Sequence, residues 1–508
     1  MLVSHRRDQF IEFIKSLLRH SFVLDALEES ALNSWRHIEE LIEEHRARAD
    51  GSSRLSHAVP TVGLFHTSLP LARAWRRFDK RYKVSSRRFV SPSFNEIREI
   101  LNAAQILAFE QQQHASSASS TPRRGDATPP AQDRTTTTTK NNYSSLSFVS
   151  FDGDCTLYSD GKNFGDVEIA AQIKRLLVAG VRVALVTAAG YGYDAPKYER
   201  RLESLVRYLE AAADVDAETL RRFFVVGGES NYLLQLDAAD DADDDSRPPN
   251  TTKEDHRREK TACLVPRPDV WDRIVRFDDA AVDALLDVAE ASIRESIEDL
   301  NLRDARVIRK PRAVGLLPQP PARRELLDET VLRAQDALRA FSRTTTPPPN
   351  PRDGGGTRID AGGGASTKTN IPYCAFNGGS DVWCDIGNKR VGVQGLQQLF
   401  GLRPEECLHI GDQFLNTGND YAARSISCCI WITNPDETKR VLDDLLEVVE
   451  QPPSSDDDSD DDDRDVFEAD GLGSGVRRPG SPTVRADGRP RIFRARTSSE
   501  SGILDPSP

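Results

Sequence analysis

Apolar positions recur at two different periods along this chain, and the change of period divides it. Near the N-terminus Phe10, Ile11, Ile14, Leu17 and Leu18 share one helical face, and Trp35, Ile38, Leu41 and Ile42 share another. That spacing predicts amphipathic helices. From about residue 145 the pattern becomes short apolar runs separated by helical stretches. LSFVSF (146–151) precedes a helix over 166–178 with Ile169, Ile173, Leu176 and Leu177 on one side. VRVALVT (181–187), a Gly/Ala/Tyr loop and a run at 223–226 follow. Downstream, 391–400 reads as a helix and 407–410 and 428–432 as buried strands. Such alternation predicts a parallel α/β sheet, whose ligands sit beyond the carboxyl ends of the strands. Asp152, Thr187 and Asp412 each stand at such an end.

Four stretches carry too little apolar surface to offset chain entropy and are expected to be disordered: 111–143, 237–260, 342–368 and the acidic tail 451–508. The remaining 366 of 508 residues suffice for two compact domains and an N-terminal helical part. The expected organisation is a helical region open to a regulatory role (1–110), a first core half (144–190), an α+β cap (191–385) holding two of the disordered inserts, and a second core half (386–450).

Net charge changes this picture little. The value of −13 is accounted for by two aspartate runs, six within 237–245 and eight within 456–465, less Arg464. The acidity therefore belongs to solvated runs, and nucleic acid is not the expected partner. No apolar stretch approaches 18 residues, which excludes a transmembrane helix. MLVSHRRDQF offers no apolar secretory core, and Asp8 and Glu12 interrupt the basic residues a transit peptide would need. Seven cysteines without CxxC spacing read as reduced thiols, so a cytoplasmic setting is expected.

The candidate chemistry starts at Asp152-Gly153-Asp154-Cys155-Thr156, directly after an apolar strand. Two carboxylates at i and i+2 can face one ligand: with Mg²⁺ present, Asp152 would be an anionic nucleophile and Asp154 a proton donor and acceptor. An Asp-Gly turn explains the pair equally well. Thr187 can bind a phosphate oxygen or cap a helix. Lys389, in IGNKRVGV before a helix, can neutralise a phosphate, although a lone lysine is more often solvated. Asp412, in HIGDQ, can supply another carboxylate to the metal.

Taken together and in this order, the Asp pair, Thr, Lys and Gly-Asp resemble the four motifs of the haloacid dehalogenase superfamily of phosphohydrolases. FVSFDGDCTLYSDG (148–161), FNGGSDVWCDIGNKRVGV (376–393) and HIGDQFLNTGNDYAAR (409–424), with FNEIREILNAAQ (94–105), are similar to the fungal IMP-specific 5′-nucleotidase family. The resemblance implies a Rossmannoid parallel-sheet core with an inserted α+β cap and an N-terminal helical region. It implies Mg²⁺-dependent hydrolysis of inosine 5′-monophosphate through an aspartyl-phosphate, activation by ATP as an allosteric effector, and a homotetramer.

By the same resemblance Asp152 is the nucleophile and Asp154 the acid/base. Asp154, Asp160, Thr187, Asp381 and Lys389 contact substrate, and Asp152, the Asp154 carbonyl and Asp412 hold Mg²⁺. The Asn419-Asp420 pair stands farther from the Gly-Asp aspartate than in many sugar-phosphate members, and no role is assigned to it. About 150 residues between Thr187 and Lys389 are left for a cap, which can exclude water and select the leaving group. Tyr191 and Tyr193 follow the second strand, where stacking on a base and ordinary packing are both open. Two other readings remain: a phosphatase of sugar phosphates or other monoesters, and a non-catalytic nucleotide-responsive scaffold. A substrate panel separates the first, and binding without phosphate release would mark the second.

Overall fold

The computed structural model describes residues 8–20, 28–48, 52–87, 90–119, 145–238, 262–302, 304–345 and 371–450. Its central sheet has seven strands in the order β11-β10-β1-β2-β3-β4-β5. They are β1 (Phe148–Phe151), β2 (Arg182–Val186), β3 (Phe223–Gly227), β4 (Tyr232–Ala238), β5 (Ala262–Pro266), β10 (Cys407–Gly411) and β11 (Cys428–Trp431). The five from β11 to β3 run parallel, while β4 is reversed and pairs antiparallel with both β3 and β5. The residues of β1 are all buried, as a parallel strand covered on both faces requires. One cover consists of α6 (Val167–Val178), α7 (Ala195–Ala211) and α13 (Pro435–Glu450), whose Leu176, Leu202 and Leu445 enter the larger core. The other consists of α9 (Pro268–Trp271) and α12 (Lys389–Phe400), through Trp271, Val393 and Leu396.

A second sheet, β6-β7-β9-β8, is wholly antiparallel. It comprises β6 (Arg306–Lys310), β7 (Ala313–Leu317), β8 (Tyr373–Asn377) and β9 (Val382–Ile386), packed against α10 (Asp279–Asp299) and α11 (Arg324–Thr345) around Leu286, Ile293, Val331 and Leu338. This layer takes up less of the chain than the 191–385 expected of an α+β cap. β3 aligns beside β2 in parallel register, Val183 opposite Phe223, so the chain through β5 belongs to the central sheet. The expected boundary ignored that an apolar run such as FFVVG is suited to burial on both faces, and here all five residues are buried.

Helices α1 (Gln9–His20), α2 (Glu28–Ala47), α4 (Leu71–Tyr82) and α5 (Phe94–Ser119), with the short α3 (Arg54–Ala58), share a third core. At its centre Trp35 and Trp75 stack with ring centroids 6.0 Å apart.

The disordered boundaries also move. α5 continues to Ser119 across the expected start at 111, because Gln and Ala sustain a helix without apolar burial. α11 continues to Thr345, past 342. Asp237 pairs with Cys263 in the sheet and accepts from Arg221 Nε at 2.8 Å, so the acidic run begins inside β4. The rest of the four segments, 120–143, 239–260, 346–368 and 451–508, lies outside the described residues. Among the described residues no helix is long and apolar enough to cross a membrane.

Candidate active site

The carboxyl ends of β1, β2 and β10 present Asp152, Thr187 and Asp412. Asp152 donates its N–H to the Ile410 carbonyl at 2.9 Å, which extends the ladder one residue past β1 and fixes where its carboxylate begins. Lys389 opens α12, whose N-cap Asn388 accepts from the Val391 N–H. The lysine is fully buried, with Nζ 2.6 Å from Asp152 Oδ1 and 2.5 Å from Asp420 Oδ1. Asp152, Asp412 and Asp420 each offer an oxygen, all within 4.8 Å of one another.

Burial and like charges set the electrostatics. Burial pushes Asp152 up to about 6, with Lys389 opposing. Asp412 is pushed well above the carboxylate range by burial and by Asp152 and Asp420, and its Oδ1 is buried without a hydrogen-bond partner. Burial would also raise Asp420, but Lys389 and His409 outweigh it and hold that carboxyl well below its usual range. Burial would lower Lys389, yet Asp152 and Asp420 keep its ammonium charged. Burial lowers His409. Several buried carboxylates thus share one lysine, and an unpartnered oxygen faces them. That donor set, all hard oxygens with an excess of negative charge, fits a divalent cation.

Asp420, to which the motifs assign no role, stands at the centre of the cluster. Oδ1 takes the Lys389 ammonium and lies 3.0 Å from His409 Nε2; Oδ2 accepts from Gln413 N–H at 2.8 Å. His409 in turn meets Ser150 Oγ at 2.9 Å through Nδ1. With both oxygens engaged, Asp420 anchors the lysine more than it ligates an ion. Gly411 makes room for it, since a Cβ there would lie 2.3 Å from Asp420 Oδ2. The Gly-Asp motif was the visible part of this arrangement.

Asp154 stands on a turn in which Cys155 adopts φ 59°, an unusual conformation for a non-glycine residue. Its Oδ1 accepts from Gly161 N–H at 2.9 Å and from Arg201 Nη2 at 2.6 Å. Burial raises Asp154 and Arg201 opposes it. Arg201, on α7 with its guanidinium 5.0 Å from the Tyr158 ring centroid, carries no motif and was not anticipated. Thr187 is buried and its Oγ1 accepts from Ala189 N–H at 3.1 Å, so its hydrogen remains to be donated.

Asp160 and Asp381 do not join the buried cluster. Asp160 is exposed at the end of the first loop, and Asp381 sits half-buried at the tip of the β8–β9 hairpin. The first loop and this hairpin meet, for Asp160 Oδ2 lies 3.9 Å from where a Gly379 Cβ would be. Burial raises Asp381, with the Asp160 and Asp154 carboxylates adding to it. Tyr191 packs edge-on to Tyr198, and Tyr193 edge-on to Tyr232.

Glu229 is a second unanticipated group. It follows β3 at φ 49°, with Ser230 at 85°. Its Oε1 accepts from Asn419 at 2.9 Å, its Oε2 is buried without a partner, and burial pushes it up to about 7. The same loop holds the junction between the second unit and α12. Ser230 Oγ donates to the Asn388 carbonyl at 2.8 Å, and Asn231 Nδ2 to the Ile386 carbonyl at 2.6 Å. Gly387, at φ 89°, has room for no side chain, since a Cβ would lie 2.1 Å from the Glu229 carbonyl.

A family model described as IMP-specific 5′-nucleotidase matches residues 1–442. IMP-specific 5′-nucleotidase 1 of Eremothecium gossypii is 37% identical over 485 residues, covering 88% of this chain and 96% of the relative. The protein of that name from Plasmodium falciparum is 31% identical over 455 residues, covering 87% and 84%. Among solved structures, an IMP-bound variant of Plasmodium falciparum IMP-nucleotidase superposes with TM-score 0.67 at 31% identity, covering 87% of this chain and 94% of that one. An ATP-bound structure of the same protein gives 0.63, covering 87% and 85%.

Proposed function

The chain belongs to the IMP-specific 5′-nucleotidase family of phosphoric monoester hydrolases, and on that premise we propose that it hydrolyses inosine 5′-monophosphate to inosine and phosphate at Asp152. The observation that carries the reading is the clustering of Asp152, Asp412 and Asp420, with oxygens within 4.8 Å of one another, around the carboxyl ends of β1 and β10, where a buried Lys389 pairs with Asp152 and Asp420.

Asp152, Asp412 and the Asp154 carbonyl would hold the cation, Mg²⁺ by the family resemblance, which would supply neutralisation of charge on the phosphate and on the attacking carboxylate. The Asp152 carboxylate attacks phosphorus and forms an aspartyl-phosphate as the bond to O5′ breaks. Asp154 gives its proton to O5′, then takes one from the water that hydrolyses the acyl phosphate. Lys389 lies against Asp152 and balances the anionic charge, and the Thr187 hydroxyl donates to a phosphate oxygen. Asp160 and Asp381, at the rim between core and cap, contact the nucleoside. ATP acts as an activator, in keeping with a relative solved with ATP bound, and the family resemblance supports a homotetramer.

Phosphate release from IMP, AMP, GMP and glucose 6-phosphate, each with and without Mg²⁺ and ATP, tests this reading. IMP is expected to exceed the others by about 100-fold in kcat/KM, as hydrogen-bond selection of a base allows, and chelation should abolish turnover. Comparable rates on IMP and glucose 6-phosphate would favour the sugar-phosphate reading, and nucleotide binding without release the scaffold.

A further inference from the structure

The N-terminal helical layer meets β11 at Trp431, whose indole in turn reaches the loop after β10. This tryptophan ends β11, the edge strand beyond β10, where a peptide group has no further strand to pair with. Helix α5 supplies the missing partner. Asn102 Oδ1 accepts the Trp431 N–H at 3.0 Å, and Asn102 Nδ2 donates to the Trp431 carbonyl at 2.7 Å, so one amide side chain stands in for a neighbouring strand. Arg98, one turn earlier, donates to the same carbonyl while its guanidinium is held by Glu437 at 2.7 and 3.1 Å. On its other side the Trp431 indole Nε1–H donates to the Asp412 carbonyl at 2.8 Å.

The indole is not jammed in place. Trp431, Phe414, Arg98, Asn102 and Arg424 line a cavity of about 330 Å³ between α5 and the loop after β10. Phe414 lies 6.3 Å from the Trp431 ring and Phe94 5.6 Å, both at steep angles. With open volume on one side, hydrogen bonds fix the ring where packing alone would leave it room. The Asp412 peptide is then held by the indole on its own carbonyl and by the Ile432 N–H on the preceding Gly411 carbonyl at 2.9 Å. A carboxylate with a free buried Oδ1 takes its aim from that peptide.

We propose that Trp431 is a positioning residue for the metal site: α5, through Asn102, sets the Trp431 peptide, and the indole N–H sets the backbone from which Asp412 points. The inference rests on Asp412 as a metal ligand. It makes the docking of the N-terminal helices a determinant of Mg²⁺ affinity, although none of their residues touches the ion.

The test uses the full chain without substrate, with Mg²⁺ alone titrated and followed by the rise in thermal midpoint, a measure of binding to the folded state. Trp431→Phe keeps the ring and removes the N–H; Asn102→Leu removes the amide. Loss of one net hydrogen bond, about 1 kcal/mol, corresponds to about a fivefold weaker site. Both variants should need about fivefold more Mg²⁺ for half-maximal stabilisation and for half-maximal turnover, with kcat and KM for IMP restored once Mg²⁺ saturates. If Asn102→Leu does not fold, Trp431→Phe decides alone. Unchanged Mg²⁺ half-points, or a loss of kcat that saturating Mg²⁺ leaves in place, would overturn the role. Asp412→Asn separates the premise: if Mg²⁺ stabilises that variant as it does the parent chain, the metal assignment itself fails.

Discussion

Lys389 and Asp420 stand 2.5 Å apart with neither side chain exposed, although 31 residues separate them in sequence. A charged amine in such a place is held by its anions. Asp420→Asn leaves Asp152 as its remaining carboxylate contact among the described residues, and breaking a buried pair costs about 3 kcal/mol. Displacing the ammonium should also cost about 100-fold in kcat. Urea unfolding and steady-state kinetics measure both. Turnover within about threefold of the parent would show that Asp420 does not hold the lysine for catalysis.

Asp152→Asn keeps the shape of the side chain and removes the nucleophilic oxygen. Turnover should fall by at least about 10³-fold, as for loss of a covalent nucleophile elsewhere, with circular dichroism and cooperative melting retained. Residual activity within tenfold of the parent would rule out an aspartyl-phosphate at this position.

The ion pair between Arg201 and Asp154, 2.6 Å long, predicts a shift in pH dependence. Burial raises the Asp154 carboxyl and Arg201 opposes that rise. Arg201→Met removes the opposition, so the proton is held more tightly. The limb of the kcat profile that reports Asp154 should move to higher pH, while the plateau falls by about tenfold because the carboxyl has lost the guanidinium that orients it. A profile that falls uniformly without moving would assign Arg201 to packing alone.

Glu229 makes stability depend on pH. Its folded carboxyl is raised from 4.5 to about 7, chiefly by burial. The folded state therefore binds more protons than the unfolded chain between these values. The contribution is fully present below the unfolded value and is lost as pH rises through about 7. Glu229→Gln removes that dependence and can still accept from Asn419. In metal-free buffer it should be more stable than the parent by about 2–3 kcal/mol above pH 8, the difference shrinking toward pH 5. Parallel stability curves for the two chains would disprove it.

Arg98 and Glu437 are both nearly buried and bind in a fork between α5 and α13. Removing one partner should cost about 3 kcal/mol, and removing both, as Arg98→Met with Glu437→Leu, less than the two single losses together. Equilibrium unfolding of the four chains gives the coupling. Strict additivity would mean that the fork contributes nothing of its own.

What the sequence displayed of this molecule follows from burial. β1, β2 and β10 are covered on both faces, so their apolar runs are continuous, and Asp152, Thr187 and Asp412 stand out where the runs stop. β6, with RVIRK, lies at the edge of a sheet packed on one side, where charged residues are tolerated, and its run cannot be told from a loop. Arg201 sits mid-helix, and its partner becomes apparent only once α7 lies beside the first loop. The place of Asp420 depends on His409 and Gly411 and not on its distance from Asp412 along the chain, so the motif spacing does not disclose it. Glu229 does carry a signal in the sequence: two glycines and an acid directly after an apolar run.

Ser230 and Asn231 bond the chain on either side of Gly387, immediately before the residue that carries the ammonium. The junction is thereby pinned to the central sheet. Whatever is spliced in or trimmed between β7 and β8, the disturbance stops at that rivet, and Lys389 meets Asp152 as before. The layer above can be remodelled while the engine beneath stays in tune.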